Sequence, residues 1–293
     1  MSALDFATSS YLSYLLDQIK ENHNKDAAYV SYTGPIDTLF LDYYKNQIEQ
    51  LATSHKNGLA RDDYELNIIL NTPGGVVEAV EKMVEINRYH FKTVNFIVPD
   101  MAMSAGTIFC MSGDNIYMDY SSSLGPIDPQ VKNDNGKWVP ALGYLDKYEE
   151  LVRKSIDNVI SGVEFARFQN IDLAELSRYE QAKELSISLL NEWRVEYKFK
   201  DWNVHSTTGK KVSKRQKVAR AKKIGEMLMD NKLWGSHGRM ISMKTLIEKV
   251  KLKIDDYSNN IPLRNSLNQY SELTTEKMQQ RNLPVFMHHR EGN

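Results

Sequence analysis

The chain has 293 residues, of which 41% are hydrophobic, and its 37 basic and 38 acidic side chains leave a net charge of −1. A chain of this length can bury a sizeable core, and the balanced charge excludes a global attraction to nucleic acid or to a membrane surface. The single Cys110 excludes an intramolecular disulfide, and no apolar run approaches the ~18 residues of a membrane-spanning helix. Because the first residues also lack a charged-then-apolar signal pattern, we expect a soluble, cytoplasmic protein.

The first part of the chain alternates helices with strands. Apolar periodicity predicts a helix over residues 4–22, a short strand at 27–32 and a helix over 37–52. After a polar loop, the predicted elements are a strand at 65–70, a helix at 75–89, a strand at 93–98, a helix at 104–112 and a strand at 115–119. This alternation predicts a parallel sheet built from right-handed crossover connections.

Strand signals almost vanish in the second part of the chain. Residues 132–137 (KNDNGK) contain an Asn-Gly pair, which predicts a hairpin-like excursion before a long helix over 142–160. Further helices are predicted over residues 162–169, 172–200, 213–230 and 240–251. The last segment, 258–293, is poor in apolar residues and predicts an extended or partly disordered arm.

Two of the predicted strands end in glycine-containing turns that open helices. The turn NTPGG at 71–75 follows the strand at 65–70, and the turn MSAG at 103–106 follows the strand at 93–98. Each turn leaves backbone N–H groups unpaired at a helix start, and in doubly wound sheets such turns gather at the carboxyl ends of the strands. The first turn can supply N–H donors to an oxyanion, and the second can place the Ser104 hydroxyl beside it.

Five sequence runs carry a family resemblance. They are NTPGGVVEA from residue 71, MSAGT from 103, LGPIDPQ from 124, YKFKDW from 197 and WGSHGR from 234. The first two resemble the Clp protease/crotonase superfamily, and all five together resemble the serine dehydrogenase proteinase family, which is related to signal peptide peptidase A. The resemblance covers about residues 28–257 and implies an α/β fold, a Clp/crotonase-like spiral of ββα units with a C-terminal helical appendage.

The resemblance also implies a domain order and an activity. We assign residues 1–26 to an N-terminal helix, 27–160 to a catalytic domain, 161–257 to a helical appendage and 258–293 to the arm. The implied activity is that of an ATP-independent serine endopeptidase, which acts on a peptide or protein substrate and assembles as a homo-oligomer, in a ring or stacked ring. Two alternatives stay open: a crotonase-like acyl-thioester enzyme that uses the same oxyanion site, and an inactive scaffold that only binds peptides.

Ser104 is the candidate nucleophile of this site. A serine hydroxyl is a poor nucleophile unless a base and donors for the developing oxyanion lie beside it. The candidate oxyanion-hole residues are Gly74, Gly75 and Ala105, because glycine lets a main chain approach a bound carbonyl closely and Ala105 N–H lies at a helix start. The plain alternative for Ser104 is an ordinary helix N-cap.

The general base is expected on the helix over 142–160. No histidine lies between residues 91 and 204, which excludes a local Clp-like triad, whereas the signal peptide peptidase relatives use a lysine from this helix. Lys154 is the first choice, because its apolar neighbours in the sequence can desolvate the amine and lower its pKa. Lys147, seven residues earlier and on nearly the same helical face, is the second choice.

Two further residues are candidates for binding substrate or orienting the base. Asp128, between two prolines, can do either, although a turn residue in this position needs no function. His237 lies in a glycine-containing loop from which it can reach a neighbouring site, and it is the base to test if neither lysine serves. The alternative for this loop is an anchor that holds the appendage through Trp234.

The remaining polar patterns carry no specific chemistry. Residues 210–223 are rich in lysine and arginine, but apolar residues at helical spacing and the lack of interleaved aromatics indicate a solvated helix face rather than a nucleic-acid site. No spacing of His, Cys, Asp or Glu resembles a metal site, and no phosphate-binding GxxxxGK[ST] run is present. We therefore expect neither a metal nor another cofactor.

Overall fold

The computed structural model describes residues 3–55, 64–128, 130–132, 138–205 and 209–290. The strands in this part of the chain are β1 (Ala28–Thr33), β2 (Glu65–Asn71), β3 (Thr93–Val98), β4 (Met101–Ala102), β5 (Asn115–Met118), β6 (Ser123–Leu124), β7 (Gln130–Lys132), β8 (Trp138–Pro140), β9 (Ile241–Ser242), β10 (Asp255–Asp256) and β11 (Phe286–His288).

The α-helices of the same part are α1 (Ala3–Asn22), α2 (Leu41–His55), α3 (Val77–His90), α4 (Ala105–Met111), α5 (Ala141–Ile156), α6 (Gly162–Gln169), α7 (Leu173–Trp193), α8 (Lys214–Leu228), α9 (Asn231–Trp234), α10 (Met243–Thr245) and α11 (Ile261–Arg281). A 3₁₀ turn at Thr38–Phe40 precedes α2, and two π-helical segments, Arg194–Lys198 and Leu246–Val250, continue α7 and α10. None of the described helices combines the length and the apolar character that crossing a bilayer requires.

A six-stranded sheet in the order β10-β5-β3-β2-β1-β11 organises the molecule. Neighbouring strands from β10 to β1 run parallel, and β11 closes the other edge antiparallel to β1. The central strands β2 and β3 are buried along almost their whole length, as expected for strands that helices cover on both faces. The parallel sheet predicted from the alternation of elements is therefore confirmed.

Different sets of helices cover the two faces of the sheet. On one face, residues of α2, α3, α4, α7 and α8 join the strands in the main hydrophobic core. On the other face, α1 and α11 pack together over β1, β2 and β3. Leu190 of α7 and Ile224 of α8 belong to the same core as Ile68 of β2. The division into a catalytic domain and an appendage stays a prediction, because this core is continuous across the proposed boundary.

The prediction of an extended arm over residues 258–293 is wrong for the described part of that segment. Residues 261–281 form α11, which Asn260 caps by accepting a hydrogen bond from Leu263 N–H, and 286–288 form the edge strand β11. The helix is polar on average, but Leu263, Leu267 and Tyr270 form a narrow buried stripe against α1. Average composition hides a stripe of this kind, because only its spacing matters for packing.

The hairpin predicted around residues 132–137 is present where the structure describes it. Strands β7 and β8 pair antiparallel, with Val131 opposite Val139. The Asn-Gly pair itself falls within 133–137, outside the described residues. The helix predicted after Pro140 begins at Ala141 and ends at Ile156, where Asn158 in the left-handed region follows it.

A buried polar cluster under α11 makes stability depend on pH. His288 Nδ1 lies 2.8 Å from the Tyr270 hydroxyl, which donates to Ser31 Oγ at 2.9 Å. Burial, reinforced by Lys277 and other nearby cations, lowers the pKa of His288 to about 4. The folded imidazole therefore stays neutral while the unfolded one takes up a proton below its ordinary pKa of about 6.5, so stability present above that pH is lost as the pH falls towards 4.

We expect this histidine to remove about 3 kcal/mol of stability between pH 7.5 and pH 4. Urea unfolding at a series of pH values measures the free energy of unfolding directly. His288→Gln should lower stability at pH 7.5, because a packed ring is lost, but should show a shallower fall with acidification. An equally steep fall of the free energy of unfolding in His288→Gln would show that His288 does not cause the loss of stability in acid.

Candidate functional site

The two glycine turns are neighbours in space. An isolated β-bridge joins Thr72 of the first turn to Ala102, just before the second. Thr72 N–H donates to the carbonyl oxygen of Met101 at 3.0 Å, and Met103 N–H donates to the carbonyl oxygen of Thr72 at 3.0 Å. A Cβ atom on Gly106 would collide with Thr72 Cγ2, so the second turn fits against the first only with glycine there. Both turns lie beyond the carboxyl ends of β2 and β3.

Gly74 and Gly75 let the first turn pack closely against two segments: Ile36, just after β1, and Ser104. Their φ angles are +99° and +149°, a region that other residues rarely adopt. A Cβ on Gly74 would lie 2.6 Å from the Met103 carbonyl oxygen and 3.0 Å from Ser104 Cβ. A Cβ on Gly75 would collide with the carbonyl oxygen of Ile36. The glycine pair is therefore required by close backbone approach on both sides.

Ser104 has a strained backbone, with φ 50° and ψ −113°. It occupies the N-cap position of α4 and is only 3% exposed, but its side chain makes no capping hydrogen bond to that helix. Its Oγ instead donates to the carbonyl oxygen of Asp128 at 3.1 Å. A non-glycine residue in such a conformation at a strand-to-helix turn is typical of a nucleophile elbow, in which the strain directs the side chain away from the helix.

The backbone N–H groups beside Ser104 differ in availability. Gly74 N–H donates to Thr72 Oγ1 at 3.0 Å and is already used. Within the described ranges, neither Gly75 N–H nor Ala105 N–H donates a hydrogen bond to the protein. Of the three residues predicted to bind an oxyanion, Gly75 and Ala105 therefore retain a free donor.

Thr107 ties the segment after β6 to the nucleophile turn. Its Oγ1 lies 2.8 Å and 2.9 Å from the carbonyl oxygens of Ala102 and Gly125, and it accepts from Gly125 N–H at 3.0 Å. A Cβ on Gly125 would lie 3.0 Å from Ser104 N, so this segment passes directly against the candidate nucleophile. Sequence reasoning did not identify Thr107 as a positioning residue, although it follows Ser104 by three residues, inside the MSAGT run.

Asp128 links three parts of the site. Its side chain is 2% exposed, and Oδ1 accepts from Leu142 N–H at 3.0 Å at the start of α5. Its carbonyl oxygen accepts the Ser104 hydroxyl, as described above. The other carboxylate oxygen, Oδ2, lies 3.5 Å from His237 Nδ1. The structure thus brings together Ser104, Asp128 and His237, which are far apart in the sequence.

The loop that carries His237 is held in place by backbone pairing with the segment before Asp128. Strand β9 pairs antiparallel with β6, and Ile127 N–H donates to the carbonyl oxygen of Leu228 at 2.9 Å. Trp234 is buried in the main core, and its Nε1 donates to the carbonyl oxygen of Met227 at 2.7 Å. The loop is therefore an anchor for the second part of the chain, as one alternative proposed, and it also places His237 beside Asp128, where the imidazole remains 22% exposed.

The two predicted lysines are engaged elsewhere. Lys154 Nζ donates to Glu164 at 2.6 Å and also pairs with Glu150 at 2.9 Å, and these carboxylates raise its pKa. Lys147 is exposed and pairs with Glu150 at 2.9 Å. The expectation of a desolvated Lys154 amine does not match this geometry. Residues next to it in the sequence, such as the buried Leu151, point in other directions around the helix, and Lys154 instead joins α5 to α6.

Comparison with known proteins agrees with this architecture. The family model of ClpP-like SDH-type serine proteinases matches residues 51–230. Two curated relatives are uncharacterized proteins of Methanocaldococcus jannaschii. MJ1495 is 30% identical over 109 residues, covering 37% of this chain and 36% of the relative. MJ0137 is 29% identical over 153 residues, covering 52% and 48%. The chain thus spans less than half the length of these curated relatives.

Two solved structures are similar to this chain at low sequence identity. A mutant of the 1510-N membrane-bound stomatin-specific protease is 14% identical, with a TM-score of 0.41 over 78% of this chain and 77% of that one. ClpP1 from Listeria monocytogenes is 13% identical, with a TM-score of 0.38 over 80% and 89%. The family resemblance seen in the sequence runs is confirmed by the family model, which covers more than half of the chain. The chain belongs to the ClpP-like SDH-type serine proteinase family.

Proposed function

We propose that this protein is a serine peptidase in which Ser104 attacks the carbonyl carbon of a substrate peptide bond. The observation that carries the proposal is the strained Ser104 backbone beside the Gly74-Gly75 turn. As the Oγ–C bond forms, the carbonyl oxygen becomes an oxyanion, and Gly75 N–H and Ala105 N–H are the donors available to bind it. Family membership supports the same reaction.

For the general base we propose His237 rather than a lysine. In this reaction the His237 ring closes the 3.5 Å gap between its Nδ1 and Asp128 Oδ2, donates Nδ1–H to that carboxylate, and accepts the proton of the Ser104 hydroxyl through Nε2. As the C–N bond breaks, the same imidazole gives the proton to the leaving amine, and water then hydrolyses the acyl-enzyme. Asp128, held by Leu142 N–H, orients the ring and stabilises its charged form.

The Ser-Lys dyad remains the rival assignment. It would require the Lys154 amine to leave Glu150 and Glu164 and to lose its proton, although both carboxylates favour the charged form. A proton acceptor must be neutral, and this environment acts in the opposite direction. The variants described in the Discussion separate the two assignments.

Acylation of Ser104 is tested most directly with a fluorophosphonate probe and intact mass measurement. The probe should add one adduct to the wild-type chain and none to Ser104→Ala, and peptide hydrolysis without ATP should follow the same pattern. Acyl-thioester turnover that survives Ser104→Ala would replace the peptidase assignment with the crotonase-like one. Failure of the folded wild-type protein to react with any acylating probe would indicate a scaffold that only binds peptides.

We also propose that the protein acts as a homo-oligomer. Several large apolar side chains of the second part of the chain are exposed, among them Ile156, Val163 and Leu173. In the proposed oligomer, these exposed apolar side chains belong to the surface that another subunit covers. Light scattering should report a mass that is a multiple of 33.8 kDa. A monodisperse monomer across a wide concentration range would contradict the assembly.

A further inference from the structure

A second cleft lies at the edge of the sheet opposite to Ser104. It has a volume of about 950 Å³, and its floor includes Thr93 and Asn115, the first residues of β3 and β5. Ser104 lies beyond the carboxyl ends of the strands, so the sheet separates the two places. A cleft of this size is within the range of small-molecule sites. Nothing in the proposed peptidase reaction uses it.

The wall of this cleft is strongly basic. Its charged lining residues are Lys198, Lys200, Arg220, Lys251 and Lys253 on the basic side, and Asp114 and Asp201 on the acidic side. Asp114 is already neutralised, because Arg88 pairs with it at 2.8 Å and Lys200 bonds to its other oxygen. Arg220 donates to the carbonyl oxygens of Val250 and Lys251 and keeps its charge. The cleft therefore presents an excess of positive charge to a ligand.

Lys198 is the lining residue that points most directly to a bound ligand. Its Nζ is buried and has no hydrogen-bond partner within the described part of the chain. Burial lowers its pKa to about 8; Lys253 acts in the same direction, whereas Asp255, Cys110 and Asp114 oppose the shift. A buried ammonium without a partner destabilises a folded protein, and a bound anion would remove this cost.

The local backbone and the neighbouring rings also indicate a binding site. Lys198 ends the π-helical segment Arg194–Lys198, and short π-helices are frequent at functional sites. The YKFKDW run that follows places Phe199 and Trp202 on the wall, with their rings 5.5 Å apart. Aromatic faces of this kind bind flat rings, and Lys198 is a lining residue of the same cleft.

We propose that this cleft binds a small phosphate-bearing molecule with a planar ring, of the size of a nucleoside monophosphate. Its phosphate pairs with Lys198 and Lys253, and its ring lies against Trp202. The four-carbon stem of Lys198 lets the amine turn from its buried position towards the phosphate, which then provides the missing hydrogen-bond partner. The site is separate from the peptide-binding site and does not require that the protein be a peptidase.

Isothermal titration calorimetry with AMP, adenosine and inorganic phosphate tests the proposal on the full chain. AMP should bind, and adenosine should bind at least tenfold more weakly because it lacks the phosphate. Lys198→Met should weaken AMP binding at least tenfold, whereas Lys222→Met, on an exposed part of α8, should leave it unchanged. No heat from AMP at concentrations up to ~10 mM, or equal weakening by both variants, would overturn the site.

Thermal unfolding keeps the proposal testable if a variant is poorly folded. In the absence of ligand, Lys198→Met should raise the Tm by a few degrees, because it removes an unpaired buried charge. AMP should raise the Tm of the wild type and not that of the variant. If Lys198→Met does not fold, Lys253→Gln replaces it, and unchanged AMP affinity in that variant would reject the phosphate contacts. Inorganic phosphate binding as tightly as AMP would reject the ring contact.

Discussion

Replacing His237 with alanine is expected to slow acylation of Ser104 by roughly 10²- to 10⁴-fold, the range that a positioned general base contributes. Lys154→Ala is expected to retain acylation close to the wild-type rate, because its amine is held by Glu150 and Glu164 rather than by the nucleophile. Labelling with a fluorophosphonate probe, quenched at a series of times and followed by intact mass spectrometry, gives both acylation rates. Thermal unfolding of each variant checks that the chain remains folded.

The pH dependence of the acylation rate is a second, independent test of whether His237 or Lys154 is the base. A general base accepts a proton only in its neutral form, so the rise of the acylation rate with pH depends on which group serves as the base. The carboxylates around Lys154 raise the pKa of that amine above its ordinary value, so a Lys154 base would give activity that is still rising at strongly alkaline pH. Asp128→Asn should keep the acceptor for Leu142 N–H and still lose most of the rate.

Three patterns would reject the His237 assignment. An inactive Lys154→Ala together with an active His237→Ala would restore the lysine dyad, and an inactive Lys147→Ala would move the dyad two helical turns towards the start of α5. If all three alanine variants acylate normally, neither the histidine nor a lysine of α5 is the base. Lys154→Arg distinguishes the ion pair from proton transfer, because it preserves the contact with Glu164 but cannot give up its proton near neutrality.

Gly75→Ala is expected to lower the free energy of unfolding by on the order of 3 kcal/mol and to reduce the acylation rate of the remaining folded protein roughly 10²- to 10³-fold. The new methyl group would collide with the carbonyl oxygen of Ile36 at a φ of +149°. The turn can then form only if it moves away from β1, which breaks the hydrogen bond from Val76 N–H to Ile36. Gly75 N–H would move with it, away from the position of the oxyanion.

Gly143→Ala is the matched control for this change. Gly143 lies in α5, and a Cβ there meets nothing within 4 Å. The same chemical substitution should therefore stabilise the protein by about 0.5–1 kcal/mol, through the helix preference of alanine, and leave acylation unchanged. Urea unfolding and probe labelling measure both quantities. A Gly75→Ala protein as stable and as reactive as Gly143→Ala would show that the turn tolerates a side chain and does not position a donor.

The sheet and the two glycine-containing turns could be predicted from patterns in short stretches of the sequence. The order of elements over 65–119 follows from apolar periodicity, and the three strands predicted there appear at the predicted positions, whereas the short strand β4 was not predicted. The Gly74-Gly75 pair signals a backbone that other residues rarely adopt, and the structure assigns it positive φ angles. These features depend on residues close together in the chain, so the sequence suffices to predict them.

The average composition of the C-terminal segment does not predict its structure. A few apolar residues spaced along 261–281 are enough to seat α11 on α1, although the segment as a whole is polar. Whether that stripe is buried depends on a partner helix at the other end of the chain, and sequence alone does not supply the partner. The edge strand β11 likewise exists because β1 leaves one edge open to it.

By itself the sequence determined the turn that carries Ser104, the glycine turn beside it and the parallel sheet that aligns them, because backbone conformation and apolar spacing are local properties. Only the tertiary structure decided which titratable side chain lies near Asp128. The pairing of β6 with β9 brings His237 to the site. Lys154 lies on a face of α5 that is turned towards Glu164, and it bonds to that carboxylate instead. Both outcomes depend on contacts between segments far apart in the chain, and the order of residues in a single sequence does not encode such contacts in a readable form.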